Sequence, residues 1–170
     1  IGGYIKKNLE AKGTVYLLGG KDVVTERFEK SLKGTDVKRL AGDTRYETNL
    51  EILNEAKVAK EDLLACTGEG FADSLSASAV GKPILLVDNR GLTKAQQTYL
   101  DKANVQEIYL IGGADVVSDK VGKELQSYDK DSKTERIAGD NRYKTSVAVA
   151  KAFFPDKCDT VVLAYGMKFP

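Results

Sequence analysis

The chain has 170 residues, 42% hydrophobic and 30% charged, and its 26 Lys and Arg against 25 Asp and Glu leave a net charge of +1. That length holds one ordinary domain or parts of two small ones; the near-zero charge argues against a nucleic-acid binder, and no apolar run approaches the roughly 20 residues of a membrane span. Histidine is absent, which removes the commonest general base and zinc ligand together, so neither a metal nor a cofactor is implied.

The opening "IGGYIKKNLE" carries two lysines and no apolar segment of the kind a signal peptide needs. It reads as the second half of a helix, and the expectation is a chain that opens inside a preceding unit. "TVYLLGG" (14–20) is a short run of aromatic and β-branched residues closed by glycines, a buried strand. "VVTERFEKSLK" (23–33) places Phe28 and Leu32 at helical spacing behind Thr25 as N-cap. "DVKRLAG" (36–42) is a second strand. "DTRYETNLEILNEAK" (43–57) is a helix capped by Asp43 or Thr44, with Thr44 and Glu47 at capping-box spacing and Tyr46, Leu50 and Leu53 as its apolar stripe. "EDLLACTG" (61–68) is a third strand, "FADSLSASAVG" (71–81) a helix of small residues, "KPILLVDN" (82–89) a fourth strand, and "LTKAQQTYLDKA" (92–103) a helix leading into "EIYLIGG" (107–113). Strands alternating with helices imply a mainly parallel sheet covered on both faces, a Rossmann-like α/β unit. Cys66, inside "DLLACT", and Cys158, before "DTVVLA", read as buried thiols rather than a disulfide or metal pair.

The pattern then starts again. "RLAGDTRYET" (39–48) returns as "RIAGDNRYKT" (136–145), identical at seven of ten positions, "VYLLGGKDVVT" (15–25) returns as "IYLIGGADVVS" (108–118), and "LACTGEGFADS" (64–74) as "VLAYGMKFP" (162–170). The period is about 95 residues, a small domain rather than a solenoid turn. The expected organisation is the end of one repeat at 1–33, a complete repeat at 34–127 and the truncated start of a third at 128–170, with exposed apolar surface where interfaces are missing.

Few residues in this pattern carry chemistry. "TGEGFADS" lacks the third glycine of a dinucleotide fingerprint, and Glu69 and Asp73 would repel a phosphate; "LLGGK" and "LIGGA" lack the remainder of a P-loop. Tyr46 and Tyr143 fall on apolar stripes and read as core. No pair of carboxylates is marked as catalytic. The repeated arginines have two readings. In one, Arg45 pairs with Asp43 or a loop carbonyl; in the other, Arg39, Arg45, Arg136 and Arg142 stand at strand ends facing an anionic ligand. A site written twice suits a binding module that gains avidity from copies better than an enzyme.

The glycine-closed strand, the R-[LI]-A-G-D-x-R-Y-x-T motif, "GFADSLSASA" and "PILLVD" together resemble the type 2 cell-wall-binding repeat of Gram-positive surface proteins. The resemblance implies tandem Rossmann-like modules, usually three, in a pseudo-threefold arrangement. It implies a secreted, non-catalytic anchor that holds a surface-layer or cell-wall protein to an anionic, teichoic-acid-like polysaccharide, with any amidase or protease activity elsewhere in the parent. Its partners would be that polymer and neighbouring repeats of the family. The family's Ile-Leu-Leu motif, implicated in polymer attachment, falls on Ile84, Leu85 and Leu86, which by themselves read as a buried strand. The rival readings are a Rossmann-like hydrolase or transferase on phosphorylated sugars, and a structural assembly repeat.

Overall fold

The computed structural model describes residues 1–157, 159–164, 166 and 167; the expectation for Cys158 lies outside them. The chain forms two compact units, Ile1–Ala56 and Lys57–Pro170. The repeat boundaries expected at 33/34 and 127/128 mark sequence periodicity, whereas the compact units divide after Ala56.

The first unit runs α1 (Gly2–Asn8), β1 (Thr14–Leu18), α2 (Glu26–Ser31), β2 (Asp36–Leu40) and α3 (Arg45–Glu55). β1 and β2 pair in parallel from Thr14 opposite Asp36 to Leu18 opposite Leu40. Gly19 ends β1 at φ +110, a conformation that L side chains rarely adopt. The chain then turns into α2, where Thr25 accepts the Phe28 N–H at 3.3 Å. Thr44, not Asp43, caps α3: its Oγ1 accepts the Glu47 N–H at 3.2 Å, and the Glu47 carboxylate accepts the Thr44 N–H at 2.9 Å. β1 is less buried than its apolar composition suggests. Leu17 is buried, whereas Tyr16 and Leu18 are exposed; among the described residues β2 is the one strand paired with β1.

The second unit is a four-stranded parallel sheet. Its elements are β3 (Leu63–Thr67), α4 (Ala72–Ser78), β4 (Ile84–Val87), α5 (Lys94–Ala103), β5 (Ile108–Ile111), α6 (Asp119–Gln126), β6 (Glu135–Ile137) and α7 (Arg142–Phe153). The strand order is β4-β3-β5-β6. Alternate residues of each strand face opposite sides. One side collects Leu64, Cys66, Ile111 and Ile137 with Ala77 of α4 and Val149 of α7. On the other, Leu110 lies so close to α6 that a Cβ on Gly122 would come within 2.9 Å of it. α5 is tied to β4 by the buried Gln96 amide, which donates to the Leu86 carbonyl at 2.8 Å. The interior is lined by leucines, each contributing roughly 2 kcal/mol when fully buried.

β5–α6–β6–α7 repeats β1–α2–β2–α3 motif for motif. With the repeat taken as 34–127, the four-stranded sheet therefore draws β3, β4 and β5 from that repeat and β6 from the next.

Cys66 is fully buried at the centre of β3. Burial, with a smaller contribution from Asp73, pushes its thiol up to about 12. In a Cys158→Ser background, Cys66 is expected to resist a maleimide in the native protein and to react fully in denaturant; rapid labelling of the native protein would contradict this packing.

Candidate functional site

The repeated motif builds the same scaffold twice. At the end of β2, Arg39 Nη1 donates to the Gly19 and Gly20 carbonyls at 2.7 and 3.2 Å, and Nη2 to the Val24 carbonyl at 2.8 Å and the Glu29 carboxylate at 2.6 Å. In the second copy, Arg136 donates to the Gly112 carbonyl at 2.8 Å and to Asp119 at 3.0 Å. Each guanidinium pins the Gly-Gly loop after one strand to the neighbouring strand's end. The following glycine admits the next helix: a Cβ on Gly42 would lie 2.2 Å from Glu47 Cβ, and one on Gly139 2.3 Å from Lys144 Cβ. The motif's final threonine closes the loop. Thr48 Oγ1 accepts the Gly42 N–H at 3.0 Å, and Thr145 Oγ1 accepts the Gly139 N–H at 3.1 Å.

The motif's second arginine stands elsewhere. Arg45 and Arg142 are the first residues of α3 and α7, and both are exposed. Arg142 lies beside the segments that follow β3 and β5 at their C-terminal ends, where the chain leaves β3 toward β4 on one side and β5 toward β6 on the other. Such a switch point is the usual place for a ligand in an open α/β sheet. Arg142 Nη1 donates to the Gly166 carbonyl at 2.7 Å, and its guanidinium lies over the Phe71 ring at 5.7 Å. Across from it sits Asp73 of α4, half-buried. The space for its carboxylate exists because Gly112, at φ +112, has no Cβ; one there would lie 2.8 Å from Asp73 Oδ2. Burial raises the Asp73 pKa and Arg142 partly opposes the rise. This spot thus pairs an exposed cation with a reluctant anion beside an aromatic ring.

The remaining candidates lie apart from it. Ile84, Leu85 and Leu86 form β4, an edge strand. Leu85 is fully buried while Ile84 and Leu86 are half-buried against the α4 and α7 side of the sheet. Tyr143 departs from the core reading: it is exposed, because on α7 the inward positions are Thr145 and Val149, about 200° and 240° away around the helix. It borders an open hollow of about 420 Å³ with Val147 and Ala148. Asp73 and Phe71 were legible only as parts of a turn, since the strand order that sets them beside Arg142 leaves no local signal. Among the described residues, no cluster of His, Cys, Asp and Glu is arranged to hold a metal, and no helix is long and apolar enough to cross a membrane.

Residues 39–122 match the family model "Cell wall binding domain 2 (CWB2)". The chain belongs to this type 2 cell-wall-binding repeat family. The chain is similar to part of "N-acetylmuramoyl-L-alanine amidase LytC" of Bacillus subtilis (strain 168), 29% identical over 126 residues, which make up 72% of this chain and 25% of that protein. It is also similar to "Amidase enhancer" of the same organism, 30% identical over 155 residues, or 89% of this chain and 20% of that protein. Among solved structures it resembles Cwp8 from Clostridium difficile, with TM-score 0.74 and 32% identity over 82% of this chain and 24% of that one. Cwp6 from Clostridium difficile shares the fold, with TM-score 0.81 and 24% identity over 92% and 26%. The chain thus spans about a quarter or less of each relative. CWB2 is a binding module, with the parallel α/β architecture expected above.

Two outcomes test this geometry. Gly139→Ala is expected to cost roughly 2–4 kcal/mol in urea unfolding, because the new methyl group meets helix backbone that cannot retreat. For Asp73 the sign follows from its raised pKa. Ionisation is disfavoured in the fold, so the cost is absent at acid pH and appears as pH rises through the folded value. Asp73→Asn should therefore stabilise the protein at neutral pH, by less than about 1 kcal/mol after solvent screening, with the gain fading on acidification; a net loss at neutral pH would show that attraction to Arg142 outweighs burial.

Proposed function

We propose that the chain is a non-catalytic cell-wall anchor that binds an anionic, teichoic-acid-like polymer and so tethers a secreted surface protein non-covalently to a Gram-positive wall. The match of residues 39–122 to a cell wall binding domain carries this reading. The relatives support its non-catalytic part: the same stretch forms a minor share of a protein named an amidase and of one named an amidase enhancer. A segment common to both is better suited to placing an activity than to performing it.

The chemistry of the surface suits a polyanion at local sites rather than over a basic face. Arg39 and Arg136 spend their donors on carbonyls and carboxylates and act as positioning residues. Arg45 and Arg142 head their helices at the surface, where a guanidinium can grip a phosphodiester with two donors. At Arg142 the polymer's anion would displace the Gly166 carbonyl, and its sugar ring would meet Phe71. Ile84, Leu85 and Leu86 act indirectly, by holding the sheet edge. Single weak contacts of this type add up along a repeating ligand.

The half-buried Asp73 at the switch point favours a second reading, a hydrolase or transferase acting on phosphorylated sugars beside this carboxylate. One experiment separates the two. Purified Gram-positive cell walls, intact or stripped of anionic polymer, are incubated with the protein and pelleted. Retention should fall on stripping and with added salt, and Arg45→Glu with Arg142→Glu should weaken it about tenfold or more. Asp73→Asn should retain binding. Retention that survives stripping and salt would move the target to peptidoglycan, and turnover of a phosphorylated sugar abolished by Asp73→Asn would favour the enzyme.

A further inference from the structure

Asp73 is the second residue of α4, in the helical turn where a carboxylate ordinarily accepts a backbone N–H. It does not do so here. Helix α4 starts without a side-chain cap, and among the described residues the Asp73 carboxylate makes no hydrogen bond or ion pair. It occupies the space that Gly112 leaves open, half-buried, with the exposed Arg142 as the cation acting on it.

The groups around it are few. The elements packed on α4 are α7, β3, β4 and β5. From α7 comes Arg142, and from β3 comes Cys66, whose thiol burial keeps protonated. β4 offers aliphatic side chains only, and the Tyr109 hydroxyl of β5 donates to Glu107. Glu69, in the turn before α4, is exposed. Histidine is absent from the chain, so no imidazole titrates between neutral and mildly acidic pH.

We propose that the polymer's anion binds at Arg142 together with a proton on Asp73, the neutral acid donating a hydrogen bond to a phosphate oxygen. This rests on the anchor reading above and names how that site is regulated. An ionised Asp73 would face a phosphodiester as a like charge. Phosphate on Arg142 also compensates the guanidinium, the cation that favours ionisation of Asp73. Both effects raise the Asp73 pKa on binding, beyond the rise that burial already causes in the free protein. Linkage then makes affinity lowest where Asp73 stays ionised in the complex. Affinity rises as pH falls through the bound-state pKa and levels off below the free-state value. The proton comes from solvent and returns to it on release.

Retention on purified Gram-positive walls, less that on polymer-stripped walls, is measured from neutral to mildly acidic pH. The 170-residue chain is compared with Asp73→Asn, whose amide keeps a donor and cannot titrate. On acidification the parent should gain about fivefold or more in affinity relative to this variant. At neutral pH the variant should bind at least as tightly as the parent. Glu69→Gln removes an exposed carboxylate from the same turn and should keep the parent's acid response, which separates Asp73 from a general gain of positive charge. Circular dichroism at each pH confirms the fold of each variant. Polymer-dependent retention that rises no more in the parent than in Asp73→Asn would overturn this proposal and leave the anchor reading standing. So would weaker binding by Asp73→Asn at neutral pH, or an acid response lost in Glu69→Gln. Retention indifferent to stripping at every pH would overturn the anchor reading, and this proposal with it.

Discussion

Parallel strands cannot be joined by a tight hairpin; each pair needs a crossover, here a helix, between its members. In this chain that constraint puts the sequence repeat and the folded sheet out of step. β3, β4 and β5 lie in the repeat that holds the first arginine motif, β6 opens the second motif, and only together do they make four strands with helices on both sides. In the two-stranded sheet, Tyr16 and Leu18 are exposed.

The arginine motif makes this arrangement workable. A strand that ends in a glycine loop leaves carbonyls pointing outward, and they would otherwise be satisfied by water. Arg39 and Arg136 gather those carbonyls and bring one acid each, Glu29 from within α2 and Asp119 from the first position of α6. The acid comes from a different helical position in each copy, so the motif specifies the guanidinium and the loop and leaves the counter-ion to local sequence. With the loop fixed, Gly42 and Gly139 let the next helix start against it, and that helix carries its own arginine to the surface. Of the motif's two arginines, the inner one organises the scaffold and the outer one stands exposed at the head of the next helix.

Strand and helix order, caps and the repeat itself were legible in the sequence because each leaves a local mark: an apolar run closed by glycine, a threonine three residues before a glutamate, a motif written twice. The CWB2 resemblance was legible for the same reason. What could not be read locally was strand order, and with it everything that depends on which strand lies beside which. Asp73 sat in a turn that looked like a poor phosphate loop; it meets Arg142 only because β3 and β5 are neighbours. Tyr143 repeats Tyr46 letter for letter, yet Tyr143 faces solvent, since burial belongs to the surroundings of a helix and not to the residue. β1 and β5 make the same point with nearly the same letters and different exposure.

The near-identity of the two arginine motifs has a genetic corollary. The two motifs are interchangeable at the level of the folded chain, and the junction lies in a tight turn between a strand and a helix cap. Exchange there would splice β2 to α7, or β6 to α3, with the inner guanidinium, the close-approach glycine and the closing threonine all regenerated at the seam. Copies could be gained or lost whole, each event adding or removing one full period without leaving a misfolded joint. An array of this design can thus change its length over generations while every surviving sheet keeps its neighbours.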